Sequence, residues 1–368
     1  MTTKSKVYIT TSTSISCAGN TNKELFSNIC LGKTGIKNNK NYSHDSNPAI
    51  GTISSDLSFD ENLINQCKII LENSDLSNFE NTLLVVGSSV GGMVNTENSY
   101  FKDNHYKNVN VSKHNIQSII NNIQEEFKFY DNISFSTACT SSANAIGYGY
   151  EVLKKGIYDN VLILGVDSIC HTTVGGFMAL GVLSNEVCKP FDNNRDGMNV
   201  SEAIACLLLQ TKKTKNCVEV CGVGYSSDAF HMTQPHPDGS KNAMQKALNC
   251  AKIDTSDINY INAHGTGTMA NDTSEANAIE SLFSTKTKVS STKSITGHTL
   301  GAAGAIEAII STMIIQNQTI PTSTNLIDIE NKNINLSLET SKEDINYVIS
   351  NSFAFGGNNC SLVFGRVK

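Results

Sequence analysis

The chain reads as an α/β protein made of two successive sets of alternating strands and helices. Two observations lead there. Short β-rich runs alternate with stretches of helical spacing from end to end, and the alternation starts afresh after a basic, polar stretch, QTKKTKN, at 210–216. In the first set, VYIT near residue 7, TLLVVGSS near 82, ISFST near 133 and NVLILGV near 160 read as strands, and Asn22 to Ile29 and Ser142 to Lys155 as helices. In the second, VEVCGVGYSS, INYINAH, VSST, INYVISNSF and CSLVFG read as strands, with helices near 240–251, 272–283 and 300–316. Helices covering sheets on this pattern give two layered halves, 1–210 and 211–368. Similarity between the halves is too weak to show a repeat directly. Asn-rich segments at 37–49 and 102–122 read as surface loops and a polar helix rather than linkers.

Composition narrows the class. With 39% apolar and 17% charged residues, the 368-residue chain has the make-up of an ordinary globular protein with a large core. Its net charge of −6 gives nucleic-acid binding no bulk electrostatic support. The start, MTTKSKVYIT, contains no long apolar run, so no secretory signal is expected in it. The most apolar helical stretch, Leu300 to Ile315, is short for a bilayer and contains Glu307, so a core helix without membrane insertion is expected. Eleven cysteines are scattered singly with no CxxC pair, which suits a reducing cytoplasm.

Four segments carry candidate chemistry. In SFSTACTSSANAIGYGY a strand ends at Cys139 and small residues open a helix, whose N-terminal dipole favours a thiolate. In NAHGTGT, His264 follows an apolar strand on a Gly/Thr loop, where α/β proteins gather ligands, and the Thr266 and Thr268 hydroxyls can bond an amide-bearing ligand. In STKSITGHTLGAAGAIE, Lys293 and His298 lie five residues apart ahead of a Gly/Ala helix; a buried Lys293 needs an anion, and Asp272, Glu275 and Glu307 are candidates. In NSFAFGGNN, Gly356-Gly357 forms a turn whose backbone N–H groups can point into a cavity.

Together with PFDNNRDG, and in this order, these motifs resemble the elongating β-ketoacyl-acyl-carrier-protein synthase family. The resemblance runs over nearly the whole chain and is densest from residue 134 onward. It implies a thiolase-like fold: two similar layered α/β halves with a shared active site between them. It also implies a decarboxylative Claisen condensation of a Cys-bound acyl chain with malonyl-carrier protein, in fatty acid or related polyene or polyketide synthesis. By the resemblance Cys139 accepts the acyl chain, His264 and His298 act on the malonyl carboxylate and thioester, and Lys293 orders them with Glu275 as its acidic partner. Glu307 matches a helix glutamate near the site, and Asp272 supports it. Thr266 and Thr268 match contacts to the phosphopantetheine arm. Phe355 matches a gating phenylalanine whose N–H joins that of Cys139 in an oxyanion hole beside Gly356. Val90 and Phe177 match positions near the acyl pocket. No metal and no redox cofactor is implied; substrates arrive on the phosphopantetheine of an acyl carrier protein. A homodimer is the usual assembly, with a heterodimer as the alternative. Retention of Cys, both His and Lys speaks against a non-catalytic, chain-length-determining partner subunit, and Cys360, in the last strand, is read as structural rather than as the second cysteine of a thiolase.

The chain also departs from the family pattern. Ser201-Glu-Ala-Ile-Ala replaces a GEGAG-type turn and keeps only the acid, Glu202; Gly165-Val-Asp-Ser replaces a GGAE-type strand end. Ala354 stands before the gate where glycine is common, which predicts a stiffer gate. Lys154, Lys155 and Arg195 are candidate docking residues for an acidic carrier protein.

Overall fold

The computed structural model describes residues 5–42, 47–76, 79, 81–103, 109–228 and 235–367. The first half holds strands β1 (Val7–Ser16), β2 (Thr82–Gly87), β3 (Asp131–Phe135), β4 (Asn160–Asp167) and β5 (Ala203–Gln210). Its helices are α1 (Asn22–Cys30), α2 (Phe59–Glu72), α3 (Met93–Asp103), α4 (Gln117–Phe127), α5 (Ser141–Lys154) and α6 (His171–Ala179). The second half holds β6 (Val218–Ser227), β7 (Tyr260–Asn262), β8 (Lys288–Ser290), β9 (Tyr347–Phe353) and β10 (Asn358–Arg366). Its helices are α7 (Pro237–Ala251), α8 (Met269–Leu282), the single turn α9 (Lys293–Thr296) and α10 (Ala303–Asn317). One expected loop region, 37–49, is only partly described; so is 102–122, whose helical portions prove to be the end of α3 and the start of α4.

The repeat that the sequence concealed is plain in the strand order. The first half runs β3-β2-β4-β5-β1 and the second β8-β7-β9-β10-β6, the same order displaced by five strands. In both, the first three strands of that order are parallel neighbours and the last two pair antiparallel. The halves join edge to edge where Val7–Ile9 of β1 pairs with Val218–Val220 of β6. Strand β5, AIACLLLQ, was absent from the sequence expectation. It is buried along its whole length, so it lacks the polar alternation that marks a strand with one wet face.

Period-two alternation assigns each strand's two faces to different cores. In β2, Leu83 and Val85 face the middle of the molecule, while Leu84 and Val86 pack with Leu63, Ile70 and Ile120 of α2 and α4. In β9 and β10, Val348 and Leu362 face the middle, while Ile349 and Val363 meet Met244, Leu248 and Ile279 of α7 and α8. Between these layers lie α5 and α10, touching each other and strands of both halves. The apolar stretch Leu300–Asn317, long enough on composition to cross a membrane, is 83% buried in this position. Its approach to α5 depends on Gly304, where a Cβ would come within 2.6 Å of Ala143 N. Since α5 follows β3 and α10 follows β8, the two helices are equivalent elements, and their N-termini meet at the centre.

Candidate active site

Cys139 sits in the short turn from β3 to α5 and is 9% exposed. The turn is sharp enough to put Ala138 in the left-handed region, at φ 51°, a conformation that costs a non-glycine residue on the order of 1 kcal/mol. Ser141 holds it there: its N–H and its Oγ–H both donate to Ala138 O, at 3.0 and 2.6 Å, while its Oγ accepts from Thr137 N–H at 3.0 Å.

His298 lies on the loop between α9 and α10, with Nε2 3.1 Å from Cys139 Sγ. Leu300 N–H donates to His298 Nδ1 at 3.1 Å. A nitrogen that accepts carries no proton, so the proton of the neutral ring is on Nε2, pointing at the sulfur. His264 lies on the loop leaving β7, its ring 5.3 Å from that of His298 and nearly perpendicular to it. Its Nδ1 is 3.4 Å from Lys293 Nζ. An ammonium has donors only, so His264 takes the same Nε2–H tautomer. Burial holds both imidazoles well below the usual histidine range, and the Lys293 charge acts in the same direction. The pair is therefore neutral, with two N–H donors.

Lys293, 1% exposed, forms its ion pair with Glu307 of α10. This corrects the expectation that Glu275 is its partner. Glu275 instead accepts from His264 N–H at 2.9 Å, Gly265 N–H at 2.8 Å and Asn351 Nδ2–H at 3.0 Å. Burial pushes it up to about 7, against the pull of these donors. Asp272 does the same one turn earlier, taking Thr266 N–H at 3.0 Å, both its oxygens reached by Gly267 N–H, and Phe191 N–H at 2.8 Å. Burial raises it too. The two carboxylates of α8 thus fix the backbone of the His264 loop, and the charge of Lys293 is balanced from α10.

Burial also reverses the expectation for the nucleophile. It pushes the Cys139 thiol up to about 12, outweighing the Lys293 charge and the thiol's own backbone N–H. The resting centre is a thiol beside two neutral imidazoles. One ligand atom from each of Cys139, His264 and His298 lies within 4.8 Å of the others. A transition ion would fit among them only by displacing the protons of the thiol and of the Nε2–H tautomers.

These residues share a cavity with Phe177, Thr266, Phe355 and Gly356, all expected, and with Met198, Pro235, Asn271, Phe353, Ala354 and Gly357. Phe353 lies inside the NSFAFGGNN motif and Met198 directly follows PFDNNRDG, whereas Asn271 carries no such signal. The rings of Phe177 and Phe355 stand 6.5 Å apart across the cavity. Phe355 and Gly356 occupy a tight turn from β9 to β10, closed by Gly357 N–H on Ala354 O at 3.1 Å. Thr268 is outside the cavity lining, with its hydroxyl 2.9 Å from that of Thr266. Val90 is also outside it and packs with Phe177, Met198 and Leu300 in an adjoining apolar cluster. Cys360 is buried in β10, away from the cavity, and burial raises its thiol.

The three docking candidates fail on position. Arg195 is 4% exposed and bonds Asp192 O, Met269 O and Thr273 Oγ1, with Glu330 and Asp272 as its ion-pair partners. It braces the start of α8. Lys154 and Lys155 stand at the far end of α5 from Cys139, a distance of about 20 Å at the rise of an α-helix. Lys154 bonds the Tyr150 hydroxyl and Lys155 faces Glu151.

Comparison with known proteins agrees with this geometry. Residues 59–215 match the N-terminal domain of β-ketoacyl synthases and residues 217–327 the C-terminal domain. The 3-oxoacyl-[acyl-carrier-protein] synthase 2 of Rhizobium meliloti is 39% identical over 259 residues, 64% of this chain and 61% of that protein. Its namesake from Coxiella burnetii is 40% identical over 260 residues, 64% of this chain and 62% of that protein. The matched stretch is thus less than two thirds of either relative. Among solved structures, the complex of a ketosynthase with its chain length factor from Xenorhabdus doucetiae aligns at TM-score 0.90 and 28% identity, over 99% of this chain and 98% of that one. A β-ketoacyl synthase from Burkholderia phymatum aligns at 0.89 and 26%, over 99% and 100%. With both domain families matched in order across a duplicated fold of this kind, the chain belongs to the β-ketoacyl synthase family.

Proposed function

We propose that the protein is a 3-oxoacyl-[acyl-carrier-protein] synthase that condenses an acyl group held on Cys139 with a malonyl group held on a carrier protein. The observation that carries this reading is a buried thiol 3.1 Å from an imidazole whose Nε2–H tautomer is fixed, with a second imidazole of the same tautomer beside it.

In the first stage Cys139 Sγ attacks the thioester carbonyl of the incoming acyl chain. The bond to the pantetheine sulfur breaks, and the thiol proton leaves with the pantetheine thiol. The carbonyl oxygen, negative in the tetrahedral intermediate, takes the backbone N–H groups of Cys139 and Phe355. In the second stage the bond between the malonyl carboxylate and its neighbouring carbon breaks, releasing carbon dioxide and leaving the electron pair as an enolate. The enolate oxygen accepts from His264 Nε2–H and His298 Nε2–H. Neutral donors serve here without the cost of burying two cations. The enolate carbon attacks the acyl carbonyl, the carbon–sulfur bond to Cys139 breaks, and the thiolate takes up a proton from water. Lys293, balanced by Glu307, keeps His264 in its donor tautomer throughout. Thr266 and Thr268 are the contacts for the pantetheine arm, and Phe177, Val90 and Met198 bound the acyl chain.

The substrates come on an acyl carrier protein, with no metal and no redox cofactor in the steps. A dimer suits the outer edge of β3, which pairs only with β2 among the described residues and leaves Ile133 and Phe135 half-buried beside an exposed Tyr130. All eleven cysteines are free, which is compatible with the cytoplasm. The complete Cys–His–His–Lys set favours the enzyme over a non-catalytic partner subunit.

Intact-protein mass after incubation with acyl-loaded carrier protein tests the reading. An acyl adduct is expected on the native chain and none on Cys139→Ser. No adduct on the native chain, or one that persists in Cys139→Ser, overturns it.

A further inference from the structure

We propose that Asp167, at the end of β4, is a positioning residue for His298, acting through the Leu300–Gly301 peptide; the catalytic part of this inference rests on the ketosynthase reading above. Asp167 is 1% exposed, and no cation pairs with it among the described residues. Its carboxylate is surrounded by neutral donors from two loops. On one side Ser88 Oγ–H donates at 2.5 Å, Val90 N–H at 3.0 Å, and Ser89 N–H reaches both oxygens at 3.0 and 2.9 Å. On the other side Gly301 N–H donates at 2.5 Å.

That last contact leads to the chemistry. Leu300 is held in the left-handed region at φ 52°, a conformation a bulky side chain does not keep without support. In that conformation of the loop its N–H reaches His298 Nδ1, and that bond sets the tautomer that aims Nε2–H at Cys139. Gripping Gly301 N–H fixes the peptide plane on the far side of Leu300. The position tolerates no side chain: a Cβ on Gly301 would come within 2.5 Å of Ser89 N and 2.7 Å of Asp167 Oδ2. The same carboxylate therefore ties the His298 loop to the Ser88–Val90 loop, whose Val90 packs with Phe177 and Leu300 in the apolar cluster beside the site. A buried charge satisfied only by dipoles is costly to place, and here all its donors lie on the two loops it joins.

The test uses the full-length protein and histidine 15N NMR, with the His298 signals identified by their loss in His298→Asn. The native chain is expected to show the Nε2–H tautomer at His298. Asp167→Asn and, independently, Gly301→Ala are expected to bring in the Nδ1–H form. Both should lower kcat for malonyl-carrier decarboxylation by roughly 10²-fold with little change in KM. Glu202→Gln, which removes a carboxylate that only accepts from Ile53 N–H and Ile169 N–H, should leave both readouts as they are. A native tautomer and kcat in either folded variant overturns the proposal. So does fast hydrogen exchange at the Leu300 and Gly301 amides of the native chain, a measurement that needs no variant. If the native chain fails to decarboxylate malonyl-carrier protein, the functional reading falls, and the tautomer signature still decides the positioning role.

Discussion

The β3–α5 corner and the β8–α10 corner occupy the same place in the two halves, yet they are built differently. In the first half, five residues connect strand to helix, and Cys139 rides on that short turn with Ala138 strained before it. In the second, twelve residues intervene, and they carry Lys293 and His298 with Leu300 strained after them. The short connection is held by its own neighbour, Ser141. The long one is held from outside, by Glu307 on Lys293 and Asp167 on Gly301. One half supplies the thiol, and the other supplies the two imidazoles and the ammonium behind them. The difference teaches that a duplicated frame can keep its strand order while placing a reactive atom on a self-sufficient turn and its partners on a braced loop.

The comparison breaks most readily at the brace. Lys293→Met leaves Glu307 buried without its partner and is expected to cost about 3–5 kcal/mol of stability. The double variant Lys293→Met/Glu307→Gln should recover a large part of that, and Lys293→Met/Glu275→Gln none of it, as read by denaturant unfolding. Equal coupling to both acids would put the brace in the wrong place. Next, His298→Ala and His264→Ala should each lower malonyl-carrier decarboxylation by roughly 10²- to 10³-fold, as measured by carbon dioxide release. A pH effect is smaller. Both histidines lie below their ordinary value of 6.5 in the folded chain. Their neutral burial therefore contributes stability above about pH 6.5, and that contribution is lost as the pH falls. Between pH 6.5 and 5.5 the stability of the native chain relative to His264→Asn/His298→Asn should drop by about 1 kcal/mol per histidine. Smallest of all, Ala138→Gly relieves the strained turn but frees the unfolded chain, so unfolding should move by less than about 1 kcal/mol. A large loss there would show that the turn is not self-supporting.

Most of the frame was legible in the sequence because its strands and helices keep their periods. The limits of α5 shifted by one residue, and every named strand exists. The missing β5 shows where periodicity fails: a strand with both faces in the core has no alternation to read. The site was legible where chemistry is local. Cys139, His264, Lys293 and His298 each sit in a motif of small residues; the cavity gathers the thiol and the two imidazoles, and Lys293 stands behind His264. The errors concern partners. Asp272, Glu275 and Glu307 are equally plausible anions for a lysine in one dimension, and only the docking of α10 against α5 selects Glu307. Arg195 looked like a surface cation because Thr268, Met269 and Glu330, which enclose it, come from elsewhere in the chain. For Lys154 and Lys155 the spacing itself held the answer, since a helix carries them away from the residue at its start.

The seam where β1 joins the halves has a consequence for how the protein is made. Tyr8 pairs with Gln210 and Val7 with Val220, so β1 precedes both its partners by about 200 residues. A ribosome adding about 5–20 residues per second leaves that strand without its strand partners for about 10–40 s. Its alternating Thr and Ser residues, Thr11 to Ser14, make a waiting segment that water tolerates better than β5, apolar from Ala203 to Leu209, which arrives to cover it. The order of synthesis thus places the soluble strand first and the insoluble one last, and the final closure of the first half falls to the pairing that also admits the second.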